Sequence, residues 1–383
     1  MVLICDARRG AGRRGWVAAV IGLVACPALC AAQGSAFGSY GPPYRVVAMP
    51  PSGPGSIGLV GDALPDGRLL VVTGLEVMRE TAPGSGSFEV VGVLDSASMN
   101  GTTDPAFLRV SPDGQTIAIG GGSGRAVAVF ASSLITSSGE PVPLTPAVAR
   151  YYGVPHFDAA WADGSRLALT AGDYGSPARV TLLDVTSNPA APINRTIVEN
   201  IPGASGGIAF DAAGRLYTGN GYALPGATST TGTIRAFDRS LTVDGATPAD
   251  FETMGVLIGD VLSASALLFD REGNLIIGGG DFDAGDMGYL GVLSAAAIEA
   301  ALSGAGAVDP TDPLHLLRLT PTSDPFAFYG SAYNPVTGEL FARVTDFVTG
   351  ANTWYGTIPG PAGAAAVIIG VGLAAARRRR GNG

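Results

Sequence analysis

One pattern recurs six times along most of this chain. Each copy has an apolar strand, a turn with an acidic residue or a glycine, a second apolar strand, a glycine-rich connection and a third strand. The clearest copy, at 107–130, separates its first two strands with the sequence Ser-Pro-Asp-Gly. A tight hairpin turn places one residue at positive φ, where a Cβ clashes, so a glycine marks each turn. The markers are Gly67, Gly114, Gly164, Gly214, Gly273 and Gly338.

The spacing of these markers predicts an all-β propeller. Successive markers lie 47 to 65 residues apart, and a period of about 40 to 50 residues with three or four strands is typical of a propeller blade. Two insertions account for the longer intervals: a Gly/Ser/Thr-rich segment at 222–231 and an alanine-rich segment at 293–302 that predicts a short helix. We predict six blades, with seven as the alternative.

Each blade also needs a fourth, outer strand, and candidates lie between the repeats. Five of them are at 88–94, 144–149, 195–201, 253–258 and 314–320. The sixth, at 44–49, precedes the first repeat. If it pairs with the last blade, formed by about 328–357, the ring closes and no sheet edge stays open to aggregation. The predicted propeller domain is therefore 33–357.

The turns of the repeats resemble those of known propeller families. The sequence Ser-Pro-Asp-Gly at 111–114 and the Asp-x-x-Gly turn at 211–214 resemble the YVTN and NHL repeats. The resemblance covers most of 44–358 and implies the propeller fold. It does not imply a function, because one fold hosts many functions.

Residues 1–32 predict a cleavable signal peptide. Four arginines precede an apolar segment at 16–29, and small residues at 30 and 32 predict that signal peptidase cuts before Gln33. Two variants stay open. Arg13 and Arg14 resemble a twin-arginine signal, and the sequence that ends at Cys26 resembles a lipobox, which would place a lipid on that cysteine.

The C-terminal segment, 358–383, predicts an anchor. An apolar run at 362–376 is about long enough for a short membrane span, and the arginines after it resist translocation, so the body stays outside the cell. A plain C-terminal tail anchor is one interpretation of this pattern. The flanking residues are Ile358, Pro359, Gly360 and Pro361 before the run, and Arg377, Arg378, Arg379 and Arg380 after it.

The same order of segments resembles the PEP-CTERM sorting signal. In this sequence Ile358 stands where that family has Val, and Gly360 where it has Glu. The resemblance implies that an exosortase-like membrane enzyme recognises the tail, and that the protein passes through a membrane-tethered intermediate. It also implies delivery to the cell surface or the extracellular matrix.

Composition excludes several classes of function. The chain has 23 basic residues, all arginine, and a net charge of −9. Eight of those arginines lie in the two terminal segments, so the body is strongly acidic and repels nucleic acid. All three cysteines lie in the leader, which leaves the body without a disulfide or a thiol nucleophile. His156 and His315 are the only imidazoles.

Few residues in the body are candidates for chemistry. Asp281, Asp283 and Asp286 alternate around a glycine, and such carboxylates can bind Ca²⁺; the alternative is a solvated loop. Ser205 lies in a Gly-x-Ser-x-Gly sequence, but a strand follows it where a nucleophile elbow requires a helix. His156 and the nearby Asp158 suggest an acid–base pair, although a structural role is the default for a lone histidine.

These observations favour a non-enzymatic, exported and surface-sorted propeller that serves as a binding or structural component, with no cofactor except possible calcium. The alternative is a calcium-dependent hydrolase of the gluconolactonase and regucalcin type. That family gathers acidic and amide side chains from different blades around one Ca²⁺. Three such side chains at one mouth of the ring would distinguish the alternatives.

Overall fold

Six β-sheets, one for each repeat, form a closed ring, so the predicted six-bladed propeller is confirmed. Each innermost strand packs against those of the two neighbouring blades, and the last packs against the first. The innermost strands are β2 (Val60–Ala63), β6 (Phe107–Val110), β11 (His156–Trp161), β15 (Ala204–Phe210), β20 (Ala266–Phe269) and β24 (Phe326–Tyr333). The computed structural model describes residues 44–47, 59–101, 105–135, 141–172, 178–186, 193–222, 232–261, 263–279, 289–308, 316–319, 326–346 and 352–357.

From the channel outwards, each blade continues with antiparallel strands. Blade 1 has β3 (Leu69–Thr73), β4 (Glu76–Glu80) and β5 (Phe88–Leu94). Blade 2 has β7 (Thr116–Gly121), β8 (Ala126–Ala131) and β10 (Val148–Tyr151). Blade 3 has β12 (Arg166–Ala171), β13 (Ala178–Asp184) and β14 (Ile193–Ile201). Blade 4 has β16 (Leu216–Tyr222), β17 (Gly232–Phe237) and β19 (Val256–Val261). Blade 5 has β21 (Leu275–Gly279), β22 (Tyr289–Leu293) and β23 (Leu316–Leu319). Blade 6 has β25 (Leu340–Asp346), β26 (Asn352–Thr357) and β1 (Tyr44–Val47).

Two blades gain a fifth strand from the chain of the blade that follows. β9 (Val142–Leu144) pairs in parallel with β5 of blade 1, and β18 (Ala249–Asp250) pairs in parallel with β14 of blade 3. The predicted strand at 144–149 is therefore wrong as one element, because β9 ends where it should begin and β10 starts at Val148.

The predicted strand at 253–258 is also wrong in its first half. Residues Phe251–Met254 form a short helix, α1, and the strand begins only at Val256. The reason is local: the Asp250 carboxylate accepts a hydrogen bond from the Thr253 amide at 3.1 Å, which caps the helix. The helix predicted at 293–302 is present as α2 (Ala295–Leu302), with Ser294 as its cap.

The core lies between the blades. Six buried clusters each join one pair of adjacent blades. In β7, Ile117 and Ile119 pack towards blade 1, whereas Ala118 packs towards blade 3. A strand buried on both faces has no polar face, which explains why the second strands are continuous apolar runs in the sequence.

The N-terminal strand closes the ring as predicted. β1 pairs antiparallel with β26, with Tyr44 opposite Thr357 and Val47 opposite Trp354. Where blade 6 meets blade 1, the Asn334 Nδ2 donates to the carbonyl oxygen of Gly67 at 2.7 Å. These contacts tie the beginning of the described chain to its end.

Five of the six marker glycines have positive φ, between 70° and 84°. Gly164 is the exception, so its predicted conformation is wrong. A Cβ at Gly164 would lie 2.5 Å from the Asp113 Oδ2 of blade 2. A larger residue at Gly164 would require the Asp113 carboxylate of the neighbouring turn to move.

The predicted terminal segments, 1–32 and 358–383, lie outside the described residues. Within the described part of the chain, no helix is long and apolar enough to cross a membrane.

Candidate functional site

A cavity of about 530 Å³ opens at one end of the central channel. All six innermost strands line it, and so do turns that join the first and second strands of the blades. The lining residues that matter below are Asp62 (β2), Arg109 (β6), Trp161 (β11), Phe210 (β15), Phe269 (β20) and Ser331 (β24). Ligand sites in proteins commonly have volumes of about 300 to 1,000 Å³.

The charged side of the cavity is built around Arg109. Its Nη2 lies 2.5 Å from the Asp158 Oδ1 of blade 3, and its Nε donates to the carbonyl oxygen of Ala159 at 2.8 Å. Its Nη1 donates to the carbonyl oxygen of Leu108 at 3.0 Å. A poorly solvated guanidinium needs such partners, because an unpaired buried charge costs several kcal/mol.

Asp158 is buried, with 2% of its surface exposed. The pairing of β11 with β12 shifts register between His156 and Ala159, and Thr170 Oγ1 accepts a hydrogen bond from the Asp158 amide inside this irregularity at 3.1 Å. The Asp158 Oδ2 accepts from the Ile208 amide of blade 4 at 3.2 Å. Burial raises the pKa of the Asp158 carboxyl, and the charge of Arg109 opposes that rise.

Asp62 lines the cavity from blade 1. Its Oδ1 accepts from the Ala63 amide at 2.9 Å, and its Oδ2 accepts from the Val110 amide of blade 2 at 2.8 Å. Burial raises the pKa of Asp62; Arg109 and the two amides oppose the rise, and the charge of Asp158 adds to it. Each carboxylate oxygen has two lone pairs, so Asp62 keeps acceptor capacity towards the cavity.

These three side chains also link four blades in series. Asp62 joins blades 1 and 2, Arg109 joins blades 2 and 3, and Asp158 joins blades 3 and 4. They therefore fix the spacing of the innermost strands, and this structural role is independent of any ligand.

The opposite side of the cavity is largely apolar. Phe210, Phe269 and the half-buried Tyr333 line it from blades 4, 5 and 6. Ser331 is a polar exception: it is 1% exposed, and among the described residues its hydroxyl has no hydrogen-bond partner. An unsatisfied buried hydroxyl costs about 1 to 3 kcal/mol.

Asp281, Asp283 and Asp286 lie outside the described residues, so the calcium loop stays a prediction. The same holds for the sorting-signal residues at 358–361 and 377–380. Across the residues that the structure describes, no group of three or more His, Cys, Asp or Glu side chains is close enough to hold a metal ion.

Two other residues that the sequence suggested for chemistry, Ser205 and His156, have structural surroundings instead. The backbone of Ser205 lies within β15, opposite Asn220 of β16, and not on a strand-to-helix turn. His156 is buried; its Nδ1 lies 2.8 Å from the carbonyl oxygen of Thr170, and its ring meets that of Tyr152 edge-on at 4.4 Å. Asp158 pairs with Arg109, so the suspected acid–base pair between His156 and Asp158 is not the arrangement found.

Asp62 and Arg109 were not predicted from the sequence. Each stands inside an apolar innermost strand, five residues before a marker glycine. A charged residue at an equivalent position of two buried repeats is the signal that could have revealed them.

No protein-family model matches the chain, and no curated protein matches its sequence. Solved structures are similar over most of its length. The calcium-binding protein regucalcin from Agrobacterium tumefaciens is 12% identical over 82% of this chain and 92% of that one, with a TM-score of 0.49. A putative gluconolactonase is 11% identical over 85% and 95%, with a TM-score of 0.49. Hydrazine synthase from Kuenenia stuttgartiensis is 15% identical over 77% and 82%, with a TM-score of 0.48. At these identities the likeness concerns the fold alone.

Proposed function

We propose that this protein is an exported propeller, sorted to the cell surface or the extracellular matrix, that binds a ligand without converting it. The observation that carries the proposal is the order of segments after Thr357: a proline-containing motif, an apolar run and four arginines. Together with the basic and apolar leader, that order is typical of a chain that is exported and then held at the membrane.

The cavity supports ligand binding as the function of the propeller domain. Asp158 already receives an ion pair and two backbone amides on its two oxygens, and a general acid or base must instead exchange its proton with a substrate. Asp62 keeps acceptor capacity towards the cavity. One carboxylate in an apolar cavity is enough to orient a ligand.

The closed ring also supports presentation at a surface. β26 ends at Thr357, opposite Tyr44 of β1, so the first and last described residues lie together in the outer part of blade 6. A tether that begins after Thr357 would leave from the rim of the ring, away from the channel.

Export is tested by mass spectrometry and cell fractionation of the full chain, expressed in a bacterium that has an exosortase. We expect a mature N-terminus at Gln33 and a body that external protease reaches on intact cells. Replacing Arg377–Arg380 by Gln should abolish retention at the membrane, because the tail then loses the charges that resist translocation.

Replacing Arg239 and Arg271, two exposed arginines of the body, by Gln is the matched control and should leave sorting unchanged. A chain that keeps Met1 and stays inside the cell would overturn the proposal. A lipid on Cys26 would overturn the cleavage before Gln33.

A further inference from the structure

Two arginines and two carboxylates line the cavity, and each arginine also forms an ion pair with a carboxylate outside the lining. Of the two arginines, Arg109 is paired with Asp158 and Arg271 with Glu272, at 2.6 Å. Two carboxylates also line the cavity. Asp270 accepts hydrogen bonds from the amide and the side chain of Asn274, whereas among the described residues Asp62 accepts from the backbone amides of Ala63 and Val110. With Asp158 and Glu272 included, four carboxylates and two arginines lie at the cavity, so its carboxylates outnumber its arginines.

The whole molecule adds to this potential. The chain has a net charge of −9, and its body is more acidic still because eight arginines lie at the two ends. A concave site with low-dielectric walls concentrates such a field and attracts ions of the opposite sign. Cations, not anions, are the ligands that this site favours.

The walls indicate what kind of cation fits. Trp161, Phe210, Phe269 and Tyr333 come from four different blades and all line the cavity. Such side chains bury the apolar body of a ligand. A bare metal ion would gain little here, since it requires several oxygen ligands at once.

Ser331 gives an independent indication of a ligand. Ser331 lines the cavity, and its buried hydroxyl has no hydrogen-bond partner among the described residues. Buried polar groups are nearly always hydrogen-bonded, and an exception in a cavity wall calls for a partner. A polar group of a bound molecule would supply that partner.

We infer that the cavity binds an organic monocation, an amine attached to an aromatic or apolar body, with Asp62 as its counter-ion. The ammonium group would donate to the Asp62 carboxylate on the side of blades 1 and 2. The apolar body would lie against the aromatic residues of blades 4 to 6. This inference rests on the proposed binding function and specifies its ligand class.

The test compares three probes that share one indole body but differ in charge: tryptamine, tryptophol and indole-3-acetate. Binding to the full chain, purified in mild detergent, is measured by isothermal titration calorimetry. We expect tryptamine to bind at least about tenfold more tightly than tryptophol, which corresponds to one charge-assisted hydrogen bond. Indole-3-acetate should bind most weakly.

Asp62→Asn should remove the preference for tryptamine over tryptophol. Asp95→Asn removes one exposed carboxylate elsewhere and should keep the preference. The three-probe comparison needs no variant, so it remains decisive if Asp62→Asn fails to fold.

Equal binding of tryptamine and tryptophol would overturn the cation inference while leaving ligand binding standing. Tighter binding of indole-3-acetate, or no binding of any probe, would also overturn it. None of these outcomes affects export, which the mass spectrometry tests separately.

Discussion

Asp62, Arg109 and Asn334 each hold the innermost parts of two blades together through a single side chain. Asp62 accepts from the Val110 amide, Arg109 pairs with Asp158, and Asn334 donates to the carbonyl oxygen of Gly67. At the residue scale these polar contacts join adjacent blades near the channel, beside the apolar clusters that fill the space between the sheets.

Gly114 shows why the marker turns require glycine. Its φ is +70°, and a Cβ there would lie 2.3 Å from Cγ of Pro65, in the neighbouring turn of blade 1. The proline ring cannot rotate away, so Gly114→Ala combines an unfavourable backbone conformation with overpacking. We expect a loss of about 3 kcal/mol in the free energy of unfolding, measured with urea.

Gly245→Ala is the matched control. Gly245 has a similar φ of +77°, but nothing lies within 4 Å of the position of its Cβ. This variant should lose only about 1 kcal/mol in the free energy of unfolding. Equal losses of unfolding free energy in the two variants would show that the contact with Pro65 does not contribute to the destabilisation.

His156 should make the stability depend on pH. Burial lowers the pKa of its imidazole from 6.5 to about 4. Between these values the unfolded chain takes up a proton that the folded protein does not, so stability is full above about pH 6.5 and falls as the pH drops towards 4. The loss across this window is about 3 kcal/mol.

His156→Asn keeps a nitrogen near the position of Nδ1 and removes the titration. The difference in unfolding free energy between this variant and the natural protein should shrink as the pH falls from 7 to 4. Because Asp62 and Asp158 titrate in both proteins, the comparison isolates His156. A difference that stays constant over this range would contradict the assignment.

At the scale of the elements, the strands that pair with the strand just before them in the sequence could be predicted. The outer strands at 88–94 and 195–201 are present, because each follows its hairpin directly and pairs within its own blade. The strands predicted at 144–149 and 253–258 were wrong in part. In both regions the chain first contributes a strand to the preceding blade, β9 or β18, and pairing of that kind leaves no local pattern.

The candidate site was less predictable than the fold for the same reason. Asp62 meets Val110 across 48 residues of sequence, and Asp158 meets Arg109 across 49. Such pairs form only once the blades stand side by side. Asp62 and Arg109 stand five residues before a marker glycine, and in blade 3 that position is Ala159. Asp158 lies one residue earlier, within the irregularity of β11 between His156 and Ala159.

At the scale of the whole molecule, the central claim is that residues 44–47 close the ring. β1 is the outer strand of blade 6, although it stands at the opposite end of the sequence from β24, β25 and β26. Val47 and Trp354 belong to the buried cluster that joins blade 6 to blade 1. The N-terminal strand is therefore part of the core that seals the last interface.

Cysteine cross-linking tests this closure most directly, because the body 33–357 contains no cysteine of its own. Val46 lies opposite Tyr355, and directly opposed residues of antiparallel strands have Cα atoms about 4.5 to 5.5 Å apart, within disulfide range. With both replaced by Cys, mild oxidation should give a nearly complete disulfide and raise the free energy of unfolding by about 4 kcal/mol. The control pair, Val46→Cys with Thr353→Cys, lies two residues out of register and should stay reduced. Cross-linking of the control pair as fast as the first, or no cross-link in the first, would contradict the closed six-bladed ring.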